Sequence, residues 1–241
     1  MSASGRLARA GLIVGGISVE LNGAAPEAAL AACLSEIEVR QALNAPTLAV
    51  LTFLDPAVAA TGAIAIGTTV TLQAPDGAQL FSGEVTGIKR RVNGARARLI
   101  EVRAYDRLHR LRKRQTLRAM TNANVNDVAS TVTSDLNMTV ESVAEAPAAG
   151  PVVIQHRQSD FELLCQLAAA AGIYFWLDGD VLRLVTLGGD GADEVRLTVG
   201  ENILEATSDV NAEAMRKSSQ AIAWQLAGNE VATGRVGAAS Q

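Results

Sequence analysis

Gln155-His-Arg-Gln-Ser-Asp-Phe-Glu-Leu-Leu-Cys-Gln-Leu-Ala-Ala-Ala-Ala-Gly172 is the stretch on which the reading of this chain turns. Ser159 and Glu162 form an S-x-x-E capping box, in which each side chain satisfies a backbone N–H left open at the start of a helix. The run behind it places Phe161, Leu164, Cys165 and Ala168 on one helical face. Gly172 can take the left-handed conformation that closes a helix. A short strand over Val152–His156 leads in. Ile173–Leu177 and Val181–Val185 lead out as a hairpin around Asp178-Gly179.

Working outward, Val125, Val128, Ala129, Val132 and Leu136 fall at helical spacing, with Asn124 as N-cap and Asp127 favoured by the dipole of the first turn. Ala144–Gly150 reads as a loop. The first half is a series of strands. Glu36–Arg40 alternates, with Ile37 and Val39 on one face. Leu48–Leu54 is apolar on both faces and reads as a central or interface strand, ended by Asp55-Pro56. Thr68–Ala74 is followed by a Pro75-Asp76-Gly77 turn. Leu80–Val92 and Arg96–Ala104 flank Asn93-Gly94, a hairpin signal. Strands at this spacing predict a barrel or sandwich over roughly 1–110. Beyond Val195, Ala221–Leu226 is a further strand candidate.

The 241 residues allow one or two domains, and 49% hydrophobic with 19% charged residues is a globular composition. Aromatic residues at 3% argue against a stacking platform for single-stranded nucleic acid. The net charge of −4 conceals a strong polarity: residues 85–118 carry a net +10, residues 1–84 a net −4 and residues 119–241 a net −10. A basic block in an acidic chain can meet an acidic partner or an acidic region of a neighbouring copy, or it can be a solvated strand face running into a loop; both readings stand at this point. The run Ala57–Ala74 is too diluted by Gly and Thr to read as a membrane span. Gly11–Ile17 reads as a first strand rather than a signal peptide, so the chain is expected to be made in a bacterial cytoplasm and to stay reduced.

Catalytic chemistry finds no foothold. His109 and His156 have no Cys or carboxylate at metal-ligand spacing. Cys33 and Cys165 sit in apolar surroundings and read as small core residues. Nucleophile-elbow, Walker and dinucleotide motifs are missing from the sequence, and Asp178 and Asp180 flank a turn glycine. The expectation is a non-enzyme with no catalytic residues, no cofactor and no metal.

Four segments, in order, resemble the hub proteins of contractile tails: the phage late control D family, myophage tail hubs and the N-terminal hub of type VI secretion VgrG spikes. Phe81-Ser-Gly83-Glu-Val85 resembles an F-x-G-x-V segment. Tyr105-Asp106-Arg-Leu-His-Arg-Leu111 resembles an aromatic-acidic segment with paired leucines. Arg118-Ala-Met-Thr-Asn-Ala-Asn-Val-Asn-Asp-Val128 resembles a helix entry of that family. Gln155–Gly172 with Ile173-Tyr-Phe175 resembles Q-Y-x-E-S-D-F-x-F-x-x-R-L-A-x-x-x-G-I-x-Y-F, and carries its Gln155, Ser159, Asp160, Phe161, Glu162, Leu164 and Gly172. Met120 replaces an aromatic and Leu164 a second Phe. With Gln158 in place of a Glu common in secretion spikes, these departures favour a phage tail or extracellular injection hub.

The resemblance implies a mainly β chain with an α+β insertion: two tube-like β-barrel domains joined by a helical connector. It places a first barrel in 1–112, a two-helix connector in 113–172 and a second, incomplete barrel in 173–241. It implies a homotrimeric baseplate hub around a central channel, adapting the sixfold tail tube to the threefold spike. Its partners would be a tail-tube or tube-initiator protein, a spike protein and baseplate wedge proteins, with no membrane in the resting particle and no specific nucleic acid. Its location would be the baseplate of a virion tail or phage-tail-like particle, assembled in the bacterial cytoplasm. Arg103, Arg107, Arg110, Arg112, Lys113 and Arg114 lie at the barrel–connector junction and are expected to face a neighbouring subunit. Two other readings stay open: a β-rich module holding nucleic acid through 85–118, and a tail-associated cell-wall hydrolase.

Overall fold

Alternation of apolar and polar residues is realised as strands wherever one face can be buried. In the computed structural model, which describes residues 12–14, 16–56, 62, 64–92, 98–142, 146, 148–186, 198, 200, 218–225 and 228–237, seven strands form one antiparallel sheet: β1 (Leu12–Val14), β2 (Ile17–Leu21), β3 (Leu34–Arg40), β4 (Leu48–Leu54), β5 (Thr69–Gln73), β6 (Gln79–Val92) and β7 (Arg98–Tyr105). Their spatial order is β1-β2-β5-β6-β7-β4-β3. A four-residue helix, α1 (Ala28–Ala31), buries Leu30 beside the sheet.

The sheet is a curled half-barrel with β1 and β3 at its margins. Among the described residues no ladder joins those margins. Its concave core gathers Val19, Leu51, Phe53, Val70, Leu72, Phe81, Val85 and Val102. β4 occupies the bounds that its sequence indicates, between β7 and β3; Ala49, Leu51 and Phe53 are buried and Leu54 is exposed. The turn before β6 forms as read, with Gly77 N–H donating to Ala74 O and Asp76 Oδ1 accepting from Ala78 N–H. Asn93-Gly94 lies outside the described residues.

A second core follows the sheet. A 3-10 helix (Arg107–Lys113) leads to β8 (Arg118–Thr121), α2 (Val125–Thr133), β9 (Thr139–Glu141), β10 (Val152–Gln155), α3 (Asp160–Ala171), β11 (Ile173–Asp178) and β12 (Val181–Thr186). β8 and β10 pair antiparallel, and β9 runs parallel to β12 beside β11. Both helices open on reciprocal caps: Asn124 with Asp127, and Ser159 with Glu162. Gly172 ends α3 at φ 66°, a left-handed conformation that costs glycine no Cβ clash. Leu163, which the sequence reading left off the buried face, is as buried as Leu164. The helix packs against α2, the 3-10 helix and β11, so its apolar stripe is wider than one face.

The cluster containing α2 and α3 also holds Ile173, Phe175, Leu177, Leu182 and Leu184. It therefore runs across Gly172, where the sequence reading placed the start of a second domain. Contact grouping divides the chain into Met1–Ala192 and Asp193–Gln241. In the second unit β13 (Ser218–Gln225) and β14 (Glu230–Gly237) form an antiparallel ribbon, with Ile222, Trp224 and Val231 exposed. The strand candidate Ala221–Leu226 is part of β13 as far as Gln225.

Removing the Ser159 hydroxyl takes away the acceptor for Glu162 N–H, 3.2 Å away. Ser159→Ala should cost about 1 kcal/mol, the usual worth of an N-cap, and denaturant unfolding reads it directly. An unchanged midpoint would mean the cap is not holding α3.

Candidate functional site: an arginine-rich joint

All four motif segments converge where the sheet meets the second core. Asp106 starts the 3-10 helix. Its carboxylate accepts from Leu108 N–H at 3.0 Å and from Thr47 N–H at 2.7 Å, tying the connector to the entry of β4. Burial pushes the Asp106 carboxyl above its ordinary range, against the pull of those two donors. Leu108 and Leu111, the paired leucines of the second motif, are fully buried in the second core. Phe81 is buried in the sheet core and Gly83 lies against the Tyr105 backbone, so the first motif packs directly on the second. Asn44, at φ 58°, adds a second tie: its N–H donates to Phe175 O and its Oδ1 accepts from Phe175 N–H, at 2.8 and 2.9 Å.

Two charged nodes flank these contacts. In the first, Glu84 on β6 accepts from Arg110 Nε and Nη2 at 3.1 and 2.6 Å. His109 is buried, with Nδ1 2.6 Å from Asp106 O and Nε2 2.9 Å from a Glu84 oxygen. The Arg110 hydrogen bond, more than any other influence, holds the Glu84 carboxyl below its ordinary range. In the second node Asp160, fully buried at the first position of α3, meets Arg118 at 3.2 Å and Arg114 at 3.3 Å. Gln155 Nε2 donates to the same carboxylate at 2.7 Å and also to Gln158 O.

The six cations expected at an interface are thus placed as follows. Arg103 pairs with Glu101 on its own strand. Arg107 reaches Asp180 at 2.9 Å and donates to Asn137 O. Arg110 holds Glu84. Arg112 lies over the rings of Tyr105 and Phe161, 5.7 and 4.8 Å from their centroids. Arg114 bridges Asp135 and Asp160. Lys113 is exposed. The run is first of all an intramolecular clamp. The sequence reading quoted Glu84 and Arg118 inside motifs but did not select them. The missing signal is pairing: their partners Arg110 and Asp160 lie 26 and 42 residues away.

The fold gives the Glu84 node a pH signature. A depressed carboxyl adds stability above its unfolded pKa, and that stability is lost as pH falls through the lower folded value. Asp106 runs the other way, its raised pKa opposing the ionised fold. The thermal midpoint of Glu84→Gln should sit below that of the parent at pH 7. The gap should close below about pH 4, where an ordinary glutamate protonates. A gap constant down to pH 3 would show that the Glu84 charge does not matter.

Among the described residues no cluster of three His, Cys, Asp or Glu side chains could hold a metal, and no helix is long and apolar enough to cross a membrane. His156 is exposed at the end of β10, and both cysteines are free and half-buried.

The Alg8 N-terminal domain family matches residues 15–240, nearly the whole chain. The chain belongs to that family. No curated protein matches the chain in sequence. Solved structures share its fold. A 43 kDa tail protein of prophage MuSo2 from Shewanella oneidensis is 16% identical with a TM-score of 0.66, over 85% of this chain and 62% of that one. A tail protein from Neisseria meningitidis MC58 is 14% identical with a TM-score of 0.67, over 93% of this chain and 68% of that one. The Escherichia coli c3393 protein, a component of the type VI secretion system, is 17% identical with a TM-score of 0.56, over 88% of this chain and 57% of that one. The chain thus shares the fold of these tail proteins and spans 62% of the length of the Shewanella protein.

Proposed function

We propose that this chain is a structural baseplate hub of a contractile phage tail or phage-tail-like injection system. In this reading it is a homotrimer around a central channel, with the tail tube on one side and a spike on the other. The barrel, connector and second-barrel division belongs to the same proposal. The observation that carries it is the shared fold: three tail and secretion proteins superimpose on most of the chain despite low identity. The joint supports a mechanical role. Glu84 of the sheet faces Arg110 and His109 of the connector, and Asp106 of the connector holds Thr47, stiffening a body that must transmit load.

Imaging of purified particles tests the reading: the chain should appear as three copies between tube and spike. Its absence from the baseplate of particles that contain it elsewhere would overturn the reading. Reversing Arg110, Arg112 and Lys113 together to Glu probes the connector as a docking face. Arg110 and Arg112 also hold Glu84 and two rings at home, so circular dichroism must accompany the assay. Lys113→Glu, free of that complication, should leave the fold intact and slow assembly most at low salt. Normal assembly of Lys113→Glu at low salt would leave the clamp as the sole use of this run.

A further inference from the structure

The sheet has two free strand edges of matching length and opposite charge. β5 pairs with β6 only as far as Glu84. Beyond Val85, among the described residues, β6 has only β7 beside it, so Thr86–Val92 presents seven residues of unpaired edge. β3, also seven residues, pairs among the described residues only with β4 and is the far margin of the same sheet. Lys89, Arg90, Arg91 and Val92 are exposed on the first edge; Glu36 is exposed and Glu38 half-exposed on the second. Unpaired edges of this kind are templates for another strand unless something covers them.

Direction and facing agree as well. β3, β4, β7 and β6 are successive antiparallel neighbours, so β3 and the free part of β6 run in opposite directions. A second copy set beside the first, continuing the sheet, brings its β3 antiparallel to this β6. On β6, Lys89 and Arg91 lie opposite Glu101 and Leu99 on the outer face, and Ile88 lies opposite buried Val102 on the core face. On β3, Glu36 and Glu38 lie opposite Thr52 and Val50 on the outer face. Ile37 and Val39 lie opposite buried Leu51 and Ala49 on the core face.

We propose that β6 of one copy pairs antiparallel with β3 of the next, with Lys89 opposite Glu38 and Arg91 opposite Glu36. In that register Ile88 meets Val39 on the core face, the Arg90 stem covers Ile37, and Arg40 falls opposite Gly87, which has no side chain to obstruct it. Opposed unlike charges and aliphatic pairs are the favourable cross-strand combinations. The contact joins two different surfaces, and such a contact makes a ring where its rotation closes and a filament where it does not; the hub reading requires the ring. The inference deepens the hub reading, on which it rests, by naming the surfaces through which copies meet.

The test is a charge exchange with a cross-link, on the full chain. Lys89→Glu with Arg91→Glu should shift the purified oligomer to the mass of one chain at low salt. Adding Glu36→Lys and Glu38→Lys to that same chain should restore the oligomer. β4 and β7 separate the two strands within a copy, so restoration reads contact between copies rather than repair of the fold. Separately, Glu38→Cys combined with Lys89→Cys should give oligomer ladders with a short bis-maleimide. Either single variant, each retaining Cys33 and Cys165, should give no ladder beyond the unsubstituted chain. An oligomer that resists the reversal, a loss that the second exchange does not restore, or an absent ladder overturns this pairing and leaves the hub reading standing. A chain that is monomeric throughout, with and without its spike, overturns both.

Discussion

Asp160→Ala should lower the thermal midpoint more than any other removal of a charged side chain in the connector. The carboxylate is fully buried and is shared by Arg114, Arg118 and Gln155. Deleting it strands the partly buried Arg118 guanidinium, whose side chain is 15% exposed, and takes from the Gln155 amide the nearer of its two acceptors, leaving Gln158 O. Breaking a buried pair from one side costs about 3–5 kcal/mol. Arg114 keeps Asp135 and reaches solvent, so the lower end, about 3 kcal/mol, is expected. For a unit of this size that is roughly 6–12 °C in midpoint. Asp160→Asn, which still accepts from one arginine, should lose less. Equal stability of Asp160→Ala and the parent would mean that the node is not formed.

Gly83→Ala should be the second large effect, for a steric reason. A Cβ at Gly83 would overlap the Tyr105 carbonyl oxygen and lie 2.6 Å from both the Tyr105 carbonyl carbon and Phe81 Cζ. The first obstacle is backbone, held in the β6–β7 ladder by the pairing of Glu84 with Tyr105, so it cannot rotate away. Overpacking of this kind costs about 1–3 kcal/mol, and the fixed backbone argues for the upper end. Gly87 supplies the control. Its nearest neighbour is Arg103 Cβ at 3.9 Å, an ordinary contact, so Gly87→Ala should stay within about 1 kcal/mol of the parent. Chemical denaturation of the pair separates the two glycines. Equal, small effects would mean that the sheet opens to admit the methyl group.

Much of this is legible in the sequence alone. The caps at Asn124 and Ser159 are local, written within four residues, and the structure builds both as reciprocal boxes. β4 could be bounded because Pro56 and an apolar run settle a strand without knowledge of its neighbours. What sequence spacing could not supply is pairing at a distance. The basic run reads as a surface because the one carboxylate near it in sequence, Asp106, is spent on the backbone of Thr47 and Leu108, and nothing acidic lies within a few residues of Arg118. Glu84 and Asp160 reach those arginines only once the sheet and α3 are packed. The same limit moved the core across Gly172: a helix closure was visible, but that β11 packs back onto α3 was not. Gly83 stood in a quoted motif without a reason, and its reason is the Tyr105 backbone on the next strand.

The central claim is that this fold assembles into a closed trimeric hub, and the molar mass in solution tests it most directly. Light scattering on the purified chain, alone and mixed with its spike, should give about 75 kDa for three copies of a 25.1 kDa chain, or three copies per spike trimer in the complex. A single 25.1 kDa species under both conditions would contradict the account.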